Sequence, residues 1–224
     1  GEFFHRDQIA EYDPADGRED GTAYIACDFA ITEKQTADWT VIAVGIHMPN
    51  DTVHVDDIHR FRSGDAFKIV DTLLNIFVKY QRLNPILGVE DGQIWRSMSA
   101  LFFAEARRRG LYPSVELLKP LTEKQARARP LQGRMQMHMM TFQKGAPWLA
   151  KMTEELLRFP SGVHDDIVDA LAWMMQLVVT KTPPKPLLAR RRASSTGWQN
   201  AKTVQERILE HARKSGSSHN FMAS

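Results

Sequence analysis

Apolar and polar positions alternate through TAYIACDFA (22–30), where small and β-forming residues dominate, and the pattern predicts a first strand. DWTVIAVGIH (38–47) and DTVHVDDIHRF (51–61) read as two more, joined by a hairpin across Pro49-Asn50-Asp51. Three successive strands make an antiparallel meander. Between Asp65 and Tyr80 the apolar residues Phe67, Ile69, Val70, Leu73, Leu74, Ile76 and Phe77 recur at helical spacing. ILGVE (86–90) is a short buried strand, and IWRSMSALFFAEARRRG (94–110) is a helix that stops at Gly110 with arginines in its last turn. SVELLKP (114–120) predicts another strand. TEKQARARPLQGRMQMHMMTF (122–142) reads as mostly helical, interrupted near Pro130 and Gly133, and APWLAKMTEELLRFP (146–160) as one more helix. SGVHDDIVDALAWMM (161–175) opens the last. The order βββ-α-β-α-β-α predicts an α/β fold on a mixed central sheet, the meander followed by parallel strands with helical crossovers.

Charge divides the chain. Residues 181–224 carry nine lysines and arginines against Glu206 and Glu210, so the rest holds an excess of acids within a total of +2. The tail opens with KTPPKP, reads as a linker with one short helix over 200–214, and suits a basic arm for DNA or a docking partner. Residues 1–20, rich in turn formers and charge, read as a lead-in, which leaves 21–180 as the core domain. No apolar run reaches the ~18–20 residues of a bilayer span, so no membrane role is expected. Cys27 is the lone cysteine, which excludes an internal disulfide and fits a reducing compartment.

The acids change the picture. Asp28 ends the first strand and Glu90 the fourth, at the carboxyl ends where α/β sheets bind ligands. Asp165, Asp166 and Asp169 crowd the start of an apolar helix, and no Lys or Arg adjoins any of these acids in sequence. Singly, each has an ordinary explanation: acids suit a helix's first turn, and a strand-end Glu is commonly solvated. Together they repel one another and resist burial, and divalent cations would remove that cost. Oxygen-only donors suit Mg²⁺ or Mn²⁺, whereas zinc lacks paired histidines or cysteines.

Strand–Asp28, the VED that contains Glu90, and HDDIVDAL at a helix start resemble the nuclease domain of the large terminase subunit of tailed bacteriophages, an RNase H-like fold. The resemblance covers roughly 22–180 and is most specific at HDD. It implies a metal-binding catalytic triad of Asp28, Glu90 and Asp166, with Asp165 as an accessory ligand and Asp169 as a trailing acid. Asp91 is the alternative to Glu90, but alternation sends it to the other side of the strand. No G-x-x-x-x-G-K-[ST] is present, so the ATPase motor of such a protein is expected to lie outside this chain.

The implied chemistry is two-metal hydrolysis of a phosphodiester, with Asp28 bridging both ions and little sequence preference. His164 is a candidate for orienting water or a ligand, against the simpler reading of a packed or solvated histidine. Lys119, Lys124, Arg127 and Arg129 cluster around the end of the fifth strand and are candidate contacts to double-stranded DNA. Arg107–Arg109 read as a solvated helix face, and Met135, Met137, Met139 and Met140 as core. The resemblance further implies cutting of concatemeric viral DNA during packaging in the infected bacterial cytoplasm. It implies as partners the motor domain, the portal or procapsid and the small terminase subunit. A RuvC-like resolvase or transposase core, or a non-catalytic DNA- or portal-binding module, are the competing readings.

Overall fold

The computed structural model describes residues 3–15, 17–30, 39–119 and 123–186. Among them, seven strands form one sheet: β1 (Ala10–Tyr12), β2 (Thr22–Asp28), β3 (Thr40–His47), β4 (Val53–Phe61), β5 (Ile86–Glu90), β6 (Ser114–Leu118) and β7 (Met140–Gln143). Their order is β1-β7-β4-β3-β2-β5-β6. Five α-helices flank it: α1 (Ala66–Lys79), α2 (Gln93–Arg108), α3 (Lys124–Gln136), α4 (Leu149–Arg158) and α5 (Asp166–Val178). β2, β3 and β4 make the expected antiparallel meander, with the β3–β4 turn closed by Met48 N–H on the Thr52 carbonyl at 2.8 Å. β5 and β6 add in parallel beyond β2, and β7 and β1 in parallel beyond β4. Every strand except β3 therefore runs the same way, and their carboxyl ends share one rim.

Alternation sorts the side chains. Ala23, Ile25 and Cys27 of β2 join Ile42, Val44 and Leu87 beneath α1 and α2. Tyr24 and Ala26 face the other side, with Val41 and Ala43, against α3, α4 and α5. Asp28 continues the second set, because side chains two apart on a strand share a face. The same rule puts Glu90 with Gly88, on the face that α5 covers. α5 lies unusually close to the sheet: a Cβ on Gly45 would stand 2.3 Å from Met174 Sδ, and one on Gly88 2.9 Å from Leu177 Cδ2. Those two glycines let α5 settle onto the strands, and this sets the depth at which its first turn meets Asp28.

Four expectations need correction. α3 runs unbroken through Pro130 and Gly133, because Ala128, Leu131 and Met135 are buried in the core and hold it there. Met140–Gln143 is a strand, not the end of that helix; the chain turns at His138, whose φ is 53°, and enters the slot between β4 and β1. Met135 and Met140 pack the core as expected, but Met137 is 66% exposed. The lead-in also contributes structure: Ala10–Tyr12 pairs with β7, and Phe4 is fully buried beside Phe159. The chain through Pro184 forms one compact unit. Of the tail, 187–224 and the helix expected at 200–214 lie outside the described residues. No described helix is long and apolar enough to cross a membrane.

Candidate active site

Asp28 at the end of β2 lies within electrostatic reach of Asp166 and Asp169 in the first turn of α5 and of Glu90 at the neighbouring strand end. Burial pushes the Asp28 carboxyl up to about 7, and the negative charges of Asp169, Asp166 and Glu90 add to the rise against an opposing Arg127. Asp166 is 6% exposed. Its Oδ1 accepts the Trp39 backbone N–H at 3.3 Å, while its Oδ2 is buried without a hydrogen-bond donor. His164 Nδ1 lies 3.7 Å from that same Oδ2. Asp91, the alternative to Glu90, is turned to Arg96, whose Nη2 donates to it at 2.8 Å.

Bases from distant segments reach these acids, contrary to the expectation drawn from sequence neighbours. Lys124 pairs with Asp165, and Arg127 Nη2 donates to Asp169 at 2.7 Å. Arg60, near the end of β4, places Nη2 3.8 Å from Asp166 and 3.6 Å from Glu155. Two of the four candidate DNA contacts, Lys124 and Arg127, are thus turned onto the acid cluster, whereas Lys119 and Arg129 are exposed. Asp165 points to Lys124, leaving Asp166 as the member of the pair whose charge reaches Asp28.

Arg60, Trp39 and Glu155 were not foreseen. Glu155 is 2% exposed, and its Oε2 accepts the Ile167 N–H at 2.9 Å, capping α5 where Asp165 makes no side-chain cap. A signal existed in the sequence: Glu155 interrupts the Met152–Leu156–Phe159 stripe, and an acid on a buried face needs a partner. Glu155→Ala would leave the Ile167 N–H uncapped and Arg60 short of a counter-charge. We expect it to cost about 3 kcal/mol, read by urea unfolding.

The donor set fits a divalent cation in chemistry and in unmet charge. The nearby groups are carboxylates, Asp166 Oδ2 is buried without a donor, and Asp28 is driven toward its protonated form by burial first and by the neighbouring acids second. The ring of ligands is not closed in this arrangement: among the described residues no three acidic, imidazole or thiol groups converge on one ion position.

No protein-family model and no curated protein matches the chain. Solved structures do. The large terminase nuclease from thermophilic phage G20c with bound zinc aligns at TM-score 0.54 and 16% identity, over 75% of this chain and 93% of that one. The large terminase from a second thermophilic bacteriophage aligns at 0.56 and 12%, over 79% of this chain and 43% of its own. The human cytomegalovirus terminase nuclease domain, manganese-soaked and inhibitor-bound, aligns at 0.53 and 13%, over 77% and 90%. At such identities the likeness is one of architecture: this chain has the RNase H-like fold of the terminase nuclease domains.

Proposed function

We propose that this chain is a divalent-metal-dependent endodeoxyribonuclease that hydrolyses duplex DNA with little sequence preference during viral genome packaging. The observation that carries the reading is the gathering of Asp28, Glu90, Asp166 and Asp169 at one rim of an RNase H-like sheet, where burial first and the neighbouring acids second lift Asp28 to about 7. The zinc- and manganese-bearing neighbours support a divalent cation as the cofactor, and oxygen-only donors favour Mg²⁺ or Mn²⁺. Asp28, Glu90 and Asp166 would hold two ions, with Asp28 shared. Asp169 is better placed than Asp165 to assist. Cations bound there would neutralise the phosphate and lower the pKa of an attacking water.

The protein's own part is placement. β2 and β5 deliver Asp28 and Glu90 from buried, rigid strands, and the Trp39 N–H and Arg60 hold Asp166 from two sides. His164 stands where it can orient water beside Asp166. Lys119 and Arg129, both exposed, would contact phosphates. The likeness to 43% of a longer large terminase chain is in line with a motor domain of the same protein as partner. The portal or procapsid, the small subunit and the infected host's cytoplasm follow from the same reading.

Incubation with plasmid DNA tests it. We expect degradation with Mn²⁺ or Mg²⁺ and full protection by chelator; no cutting with either ion would refute the reading. A strong preference for four-way junctions over linear duplex would move it to a resolvase.

A further inference from the structure

Asp166 and Glu155 are each anchored through one carboxylate oxygen and have the other unspent. Asp166 Oδ1 accepts the Trp39 backbone N–H, and Glu155 Oε2 accepts the Ile167 N–H at the start of α5. Asp166 Oδ2 and Glu155 Oε1 are both buried without a hydrogen-bond donor. One arginine stands between them. Arg60 Nη2 lies 3.6 Å from Glu155 Oε1 and 3.8 Å from Asp166 Oδ2, within ion-pair reach of both and too far to hydrogen-bond either. His164 Nδ1, 3.7 Å away, also faces Asp166 Oδ2.

The guanidinium of Arg60 is held by a surface. Its carbon stands 3.9 Å from the centre of the Trp39 ring, and its Nε is buried without an acceptor. A cation–π contact keeps the group against the ring and does not tie it to one oxygen. Two buried carboxylates and one cation leave a negative charge over, which burial makes costly. With a divalent ion at Asp166, Arg60 would be repelled from Oδ2, and Glu155 Oε1 is the seat beside it.

We propose that Arg60 is an exchangeable counter-ion, shared by Asp166 and Glu155 in the metal-free protein and passed wholly to Glu155 when Asp166 takes a metal ion. Arg60 and Glu155 are then positioning residues that set the affinity of the site for metal. Glu155 receives the displaced charge and is not itself a ligand. This rests on the reading of Asp166 as a metal ligand and is independent of which DNA is cut.

Titration of the full chain with Mn²⁺ alone, followed by calorimetry without DNA, tests this apart from cleavage. Arg60→Gln removes the competing cation and is expected to tighten Mn²⁺ binding roughly fivefold to tenfold, in the usual range of coupling between contacting charges. Glu155→Gln keeps an oxygen for the Ile167 N–H but removes the second seat, so Arg60 stays on Asp166 and binding should weaken by a similar factor. In the Arg60→Gln background the Glu155 substitution should change affinity by less than about twofold, because no cation remains to be received. A purely structural role would weaken binding in both single variants, and that result overturns the proposal, as does unchanged affinity in either. An equal loss from Glu155→Gln in both backgrounds would make Glu155 a ligand and overturn it too. Arg60→Gln leaves Glu155 buried and unpaired. If circular dichroism shows that it does not fold, the neutral double variant decides: binding tighter than wild type supports the exchange, and equal or weaker binding overturns it. No Mn²⁺ binding by wild type would overturn the proposal and the metal reading together. The expected pattern without any cutting of plasmid DNA would sink the nuclease reading and leave the exchange standing.

Discussion

Asp28→Asn is expected to lower metal-dependent cleavage of duplex DNA by about a thousandfold or more. The carboxylate lies at the centre of the cluster, where Asp166, Asp169 and Glu90 all act on it. An amide there keeps the shape and loses the negative charge that the proposed metal ligand would supply. Metal-assisted stabilisation of charge at phosphorus is worth several kcal/mol, and each ~1.4 kcal/mol is a factor of ten in rate. The fold should survive, because Asp28 is the last residue of β2 and Ala23–Cys27 carry that strand's packing. Circular dichroism and a melting curve check the fold, and a plasmid assay with Mn²⁺ checks the rate. Activity within tenfold of wild type, with contaminating nuclease excluded, would remove Asp28 from the ligand set.

The same substitution should stabilise the metal-free protein at neutral and alkaline pH. Asp28 has a folded pKa of about 7, against ~3.9 for an unfolded aspartate. The unfolded chain therefore releases this proton first. The native state is penalised progressively as pH rises from about 4 to about 7, and the penalty then stays constant. In chelator at pH 8, Asp28→Asn should exceed wild type by ~2–4 kcal/mol, since each pKa unit is worth ~1.4 kcal/mol. Near pH 4 the difference should vanish. Mg²⁺ or Mn²⁺ should raise the melting temperature of wild type by binding only the folded form, and do so far less for the variant. If the variant melts lower than wild type at pH 8 without metal, burial and crowding of this carboxylate do not govern local stability.

The two outcomes are linked by the bases around the cluster. Lys124, Arg127 and Arg60 neutralise Asp165, Asp169 and the Glu155–Asp166 pair in part. Asp28 stays elevated in spite of Arg127, because burial and the acids around it outweigh that one cation.

Much of this was legible in the residues themselves, wherever the information is local. Alternation in β2, β3 and β4 and the 3.6-residue period of α1 and α5 are properties of consecutive residues, so those elements lie where the pattern puts them. The placement of Asp28 and Glu90 on one face at one rim likewise follows from period two on two parallel strands. What remained hidden depends on segments that meet only in the folded chain. β7 has four residues, too few for a period, and its strand state comes from the slot between β4 and β1. Pro130 and Gly133 would break an isolated helix, but core packing of Ala128, Leu131 and Met135 outweighs that local preference. Sequence adjacency likewise showed no cation beside the aspartates, because charge acts through space and the bases come from β4 and α3. The acids at the rim were therefore written in the chain; the cations that hold them, and the glycines that set the depth of α5, acquire their roles only where distant backbones pack together.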